Sequence, residues 1–226
     1  MAEEHSTEQR KKRKGRISSK AIGIALLAVL VLVGAGYGVI RFTQWRNDGS
    51  AYAERLSEQI GVSAETAQKY AHINLESASQ FACINMAAED YPHLFESTRK
   101  TEVLGVTVPQ WVIYIGEDGD KMTQVLYYDY RQLQKFGTGV KTDAKIGTEG
   151  ITAGMTPEAV QQYVGFAPLK TAYTASDMTE DYKYYFKDQN TGNTVSYVIT
   201  VTYADGQVKT VTEEENYFIL SVLTME

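Results

Sequence analysis

Residues Ala21–Ile40, AIGIALLAVLVLVGAGYGVI, run without a charge between Lys20 and Arg41. Coiled as a helix, a run of that length reaches roughly 30 Å, the thickness of a bilayer's hydrocarbon core. On that length the first expectation is a single transmembrane helix over 21–40. The competing reading, a cleaved signal peptide, has an apolar region of only about 7–15 residues. Small-residue patterns at Gly34-Ala35-Gly36 and Ala51-Tyr52-Ala53 lie inside the run and well past it, respectively. An uncleaved signal-anchor fits the length better.

The flanks orient the span. Seven Lys/Arg (Arg10, Lys11, Lys12, Arg13, Lys14, Arg16 and Lys20) stand in residues 1–20, whereas only Arg41 and Arg46 closely follow the run. The positive-inside rule then keeps 1–20 cytoplasmic as a basic tail and exports the rest. Beside a membrane span, a basic run reads as a topology signal that meets anionic lipid, before it reads as a nucleic-acid patch. Of 22 Lys/Arg and 28 Asp/Glu, seven and three precede the span, which leaves 15 against 25 in residues 41–226 and a net charge near −10. Such a domain repels phosphate, so no nucleic-acid partner is expected.

One cysteine forms no internal bridge, and Cys83 falls in ESASQFACINMAA, Glu76–Ala88, where it suits a packed helix face as a small hydrophobe. There is no Asn-x-Ser/Thr acceptor. Low cysteine without glycosylation sites fits a bacterial cell envelope, and the expected localisation is a single-pass cell-membrane protein with an extracytoplasmic C-terminal part.

That part reads as helix-then-strand, twice. A stalk over 41–60 includes a helical Ala51–Ile60. Helical patterns follow at Ser63–Ile73 and Glu76–Ala88, then strands at Gln110–Ile115 and Thr123–Tyr130 about the turn sequence Glu117-Asp118-Gly119-Asp120. Gly137–Gly150, with four glycines, reads as a linker. Thr156-Pro157-Glu158 is a strong helix start, with a capping Thr, Pro in the first turn and an acid at the positive dipole end. Val160, Tyr163 and Val164 form the apolar stripe, and Gly165 ends the helix. Strands are predicted at Tyr182–Lys187, Thr194–Tyr203 and Gln207–Thr212, with Tyr217–Leu223 either a closing strand or a helix. In Thr194–Tyr203 the odd positions (Val195, Tyr197, Ile199, Val201, Tyr203) are greasier than the even ones, so one face is covered and the other open. The fold class is therefore α+β: a transmembrane helix, then two helix-on-antiparallel-sheet modules at 61–136 and 151–226 joined by 137–150. A tandem repeat is raised by Gly61–Ile73, GVSAETAQKYAHI, against Gly154–Phe166, GMTPEAVQQYVGF.

The stretch Ile151–Gly165, ITAGMTPEAVQQYVG, with the later Tyr203-Ala204-Asp205-Gly206-Gln207-Val208, resembles the small α+β domains shared by the beta-lactamase inhibitory protein (BLIP) and the SmpA/OmlA (BamE-like) envelope proteins. Ile151, Gly154, Met155, Thr156, Val160 and Gly165 carry the likeness, which spans about Ile151–Thr212. It implies helices packed on an antiparallel sheet that binds proteins in the bacterial envelope. The BamE-like members are typically anchored by a lipidated cysteine and the inhibitory protein carries disulfides. Neither feature suits this chain, so only the binding-module reading carries over.

Motifs for chemistry are weak. Ser97-Thr98-Arg99-Lys100 matches S-x-x-K but lacks the companion K-T-G. His72 and His93 have no zinc spacing, Glu117–Asp120 and Glu213–Glu215 have no closing ligand pattern for calcium, and no phosphate loop is present. The chain is expected to be no enzyme and to take no cofactor or metal. Tyrosine is the unusual allowance, with 16 residues. Adjacent strand residues face opposite ways, so Tyr127, Tyr128, Tyr130, Tyr182, Tyr184 and Tyr197 include exposed rings unless both sheet faces are covered, and they are the candidate interface. The expected function is a non-catalytic protein-binding module with an envelope or surface protein as partner. The alternative is an extracytoplasmic sensor holding a small ligand between the modules.

Overall fold

The computed structural model describes residues 48–77, 91–103, 105–133 and 139–215. The basic tail, the span expected at Ala21–Ile40, Cys83 and Tyr217–Leu223 lie outside them. Among the described residues no helix is long and apolar enough to cross a membrane.

Local chemistry sets three helices among these residues. Helix α1 is Gly49–Ser57, started by Asp48, whose Oδ1 accepts from the Ser50 N–H at 3.2 Å. Helix α2 is Ala64–Ala71, capped by the Ser63 hydroxyl and ended at His72 in the left-handed region, φ 55°. Helix α3 is Pro157–Val164, in which Thr156 Oγ1 accepts from the Ala159 N–H at 3.4 Å and Gly165 (φ 89°) closes the last turn. Thr156→Ala is expected to lower the unfolding free energy by about 1 kcal/mol, read as a shift of the urea midpoint at constant slope. No shift would mean that the cap is replaced by solvent.

The strands are β1 (Glu76–Ser77), β2 (His93–Glu96), β3 (Lys100–Val103), β4 (Val106–Pro109), β5 (Trp111–Asp118), β6 (Lys121–Asp129), β7 (Val140–Lys141), β8 (Lys170–Thr174), β9 (Met178–Lys187), β10 (Thr194–Ala204) and β11 (Gln207–Glu215). One sheet runs β1-β2-β5-β6-β8-β9-β10-β11, with β7 parallel to β9, while β3 and β4 form a separate hairpin. The expected modules at 61–136 and 151–226 are thus two four-stranded antiparallel runs in one sheet, fused where β6 pairs β8 from Gln124↔Thr174 to Tyr128↔Lys170. Helix α2 precedes the first run and α3 the second.

The two runs are tied to their helices alike. Gly61 (φ 99°) donates to the Met122 carbonyl at 2.8 Å, and the Met122 N–H returns to Val62 O at 2.9 Å. Gly154 (φ 88°) donates to Val208 O at 3.4 Å, and the Val208 N–H returns to Met155 O at 2.9 Å. Each clamp holds the second residue after a hairpin turn, and each hairpin carries a register shift before that turn, at Gly116/Glu117 and at Thr202/Tyr203. The positive φ is open to glycine at no steric cost, which is why both loops begin with one.

Three cores result. On one face of the sheet, Tyr52, Ala53 and Leu56 of α1 and Ala64, Ala67 and Ala71 of α2 pack on Trp111, Ile113, Ile115, Val125 and Tyr127. On the same face Val160 and Val164 of α3 pack on Tyr182, Tyr184, Ile199, Val201 and Tyr203. On the opposite face the β3–β4 hairpin covers the first run through Val103 and Val108, against Leu94, Val112, Tyr114 and Leu126.

Several expectations are corrected here. The segment read as a stalk contains α1, an integral core helix, because its Tyr52, Ala53 and Leu56 have the sheet as a dry partner. Of the helical pattern expected over Glu76–Ala88, Glu76–Ser77 instead form strand β1, with Glu76 opposite Leu94 and Ser77 opposite His93, and residues 78–88 lie outside the described residues. The glycine-rich segment read as a linker contains β7, where Val140 lies opposite Tyr184. Strand β8 and the strands between residues 93 and 109 had no clear period in the sequence, being four or five residues each.

Candidate functional site

Four of the six candidate tyrosines are core, not surface. Tyr127 (4% exposed), Tyr130 (2%), Tyr182 (0%) and Tyr184 (0%) are buried, and Tyr128 and Tyr197 are half-buried. The exposure argument fails because both faces of the first run are covered and the second run's inward positions lie under α3. Buried phenols need acceptors, and carboxylates supply them. Tyr184 donates to Glu213 Oε1 at 2.6 Å, and Tyr182 and Tyr203 both donate to Glu180 Oε2, at 2.6 and 2.8 Å. Tyr197 stacks on Tyr184 and Phe186 beneath the Lys145 ammonium, 4.5 Å from its ring centroid.

The other singled-out residues have structural places. Ser97 Oγ accepts from the Arg99 N–H at 3.1 Å while Lys100 pairs with Glu96 at 2.8 Å, so the S-x-x-K serine and lysine are engaged separately. His93 lies 3.6 Å from Glu117, and Glu117–Asp120 spans the β5–β6 hairpin. Gly154, Met155, Thr156, Val160 and Gly165 build the α3 entry, its buried side and its end.

Two features remain open. The first is a cleft of about 340 Å³ where the helical layer parts. Its walls include Ser50 and Glu54 of α1 and Pro157, Glu158 and Gln161 of α3, and its floor is the seam of the sheet, with Tyr127, Thr171, Tyr173 and Glu180. Tyr127, Thr171 and Glu180 form one row across β6, β8 and β9, since Tyr127 is opposite Thr171 and Thr171 opposite Glu180. Glu180 is 8% exposed; burial pushes its carboxyl pKa above the ordinary glutamate value, the two tyrosine donors pull it back, and the Glu158 charge adds to the rise. Its Oε1 has no hydrogen bond among the described residues, nor has the Thr171 hydroxyl, although Thr171 is 4% exposed. At one end Asp129 holds Arg131 in a fork of 2.7 and 2.7 Å, which raises the guanidinium pKa further.

The second feature is the face of β9–β11 turned away from α3. Thr179, Asp181, Ser196, Val198, Thr200, Thr202, Thr210 and Thr212 share it with Tyr185 and with Lys183, which is itself buried, so the face is open around that position and not at it. Thr200 donates to Asp181 Oδ1 at 2.8 Å and Lys170 pairs with Asp181 Oδ2 at 2.8 Å, so the rows are laced by polar contacts. Among the described residues, none of these side chains belongs to a hydrophobic core.

Sequence reasoning found the second feature through the period of Thr194–Tyr203 and missed the first. One signal for Glu180 was present: in Met178-Glu180-Tyr182-Tyr184 an acid occupies an inward position of an otherwise apolar alternation. Thr171 gave none, because β8 itself was not predicted. In comparisons with protein-family models and with curated protein sequences, the chain matches none.

Proposed function

We propose that this chain is a membrane-anchored, extracytoplasmic, non-catalytic protein-binding module of the bacterial cell envelope, built as a tandem repeat. The threonine-rich face of β9–β11 turned away from α3 carries the reading. A sheet with helices on one side and a threonine-rich surface on the other offers flat, hydrogen-bonding area that little else in the described fold uses. The paired clamps at Gly61 and Gly154 support a duplication. The left-handed Gly154 and Gly165 and the Asp205-Gly206 turn support the resemblance to the BLIP and SmpA/OmlA domains. The anchor at 21–40, the cytoplasmic tail and an envelope protein as partner belong to the same proposal, resting on the uncharged run and the basic flank.

The test places a photo-crosslinking residue in the full-length protein in intact cells, at Thr210 or Thr212 on the open face and at Tyr163 on the outer side of α3. We expect a discrete adduct from the sheet positions and little from Tyr163. Equal yields from both sides, or no adduct from the sheet, would remove the reading. A second reading, a small-ligand domain, is favoured by the cleft at the seam.

A further inference from the structure

We propose that the seam cleft is a binding site for a primary alkylammonium group, with Glu180 Oε1 and the Thr171 hydroxyl as its acceptors. The proposal rests on the small-ligand reading of the cleft and not on the sheet-face reading. Two observations carry it independently. First, the floor holds unspent hydrogen-bonding capacity turned to the cleft: Thr171 and Glu180 are 4% and 8% exposed, face each other across β8 and β9, and each keeps an oxygen without a partner among the described residues. Both side chains line the cleft, so these oxygens face its open volume and can receive a donor that enters it. Second, the surroundings select a cation. Glu54 and Glu158 stand on opposite walls, and the guanidinium that lines the cleft among the described residues, Arg131, is committed to Asp129. Tyr127 and Tyr173 add aromatic walls, which attract ammonium groups through their ring faces.

The geometry also favours ammonium over guanidinium. Guanidinium binds carboxylates best as a fork on both oxygens, but Glu180 Oε2 already accepts from Tyr182 and Tyr203. One carboxylate oxygen beside one hydroxyl suits a compact donor with three divergent N–H groups. A cleft of about 340 Å³ admits a four- or five-carbon stem.

The experiment titrates the full-length protein, in detergent, with n-butylammonium, n-butylguanidinium and n-butanol by calorimetry, and with a short lysine peptide against its acetyl-lysine counterpart. Butylammonium is expected to bind at least about tenfold more tightly than either of the other two, the loss expected for a missing charge-assisted hydrogen bond. Glu180→Gln and Thr171→Val are each expected to weaken it, and Glu214→Gln on the other side of the sheet to leave it unchanged. Tighter binding of the lysine peptide than of butylammonium assigns the site to a protein side chain, and the reverse assigns it to a free amine. Equal binding of butanol and butylammonium overturns the proposal, as does full affinity in Thr171→Val. If Glu180→Gln fails to fold, Thr171→Val and Glu158→Gln decide, since neither removes an acceptor of the buried tyrosines.

Discussion

Trp111→Ala is expected to lower the unfolding free energy by about 3–5 kcal/mol, the range for emptying a buried large aromatic site. That is a large share of the roughly 5–15 kcal/mol a domain has in total. Trp111 is 3% exposed at the start of β5, with ring centroids of Phe95, Tyr52 and Tyr127 at 5.5, 6.1 and 6.5 Å. It is also the seat of α1, because Gly49 lies so close that a Cβ there would overlap the Trp111 and Tyr127 rings. The alanine variant therefore loses contact area and the surface that fixes the helix. Far-UV circular dichroism in urea reads both, as a lower midpoint and a loss of helical signal before the main transition. A change under about 1 kcal/mol would mean that the site collapses around the missing ring and that α1 is held elsewhere.

Lys183→Met is expected to act in the other direction and stabilise the fold. Lys183 is 4% exposed on β9, opposite Val198, and the backbone of Gly139 crowds its carbonyl. The nearest carboxylate along its strand face, Asp181, is committed to Lys170 and Thr200. Burial accordingly pushes the Lys183 pKa down from 10.5 to about 8. At neutral pH the ammonium is charged in both the folded and unfolded chain, and keeping it charged in the interior costs up to about 3 kcal/mol. Between about 8 and 10.5 the unfolded chain binds more protons than the folded one, so wild-type stability rises with pH through that window. Methionine has a similar stem and no charge. The variant should be more stable by about 1–3 kcal/mol at pH 7, with the difference shrinking toward pH 10.5. A variant less stable at pH 7, or a difference that stays constant from pH 7 to 10.5, would show that the amine is not desolvated.

Much of the local structure is legible along the chain because its causes are local. The Ser63 and Thr156 caps, the glycines before and after α3, the period of two in β10 and the turns at Gly119 and Asp205-Gly206 are each written within a few residues. The basic flank and the uncharged run at 21–40 set the expected topology in the same way. The assignment of tyrosines to a surface did not survive, because alternation says which residues share a face and nothing about what covers it. The β3–β4 hairpin, whose short strands have little period, decides that coverage for the first run.

The sequence by itself determined the start and end of α3, the cap of α2 and the extent and period of β10, because capping, turn formation and side-chain alternation act over one to four residues. Only the tertiary structure decided that the two runs fuse through β6 and β8, that α1 is core, and that Thr171 and Glu180 meet at the floor of a cleft. Those facts depend on pairing between residues far apart in the chain, where many registers satisfy the same local pattern and the one adopted is chosen by the burial it completes.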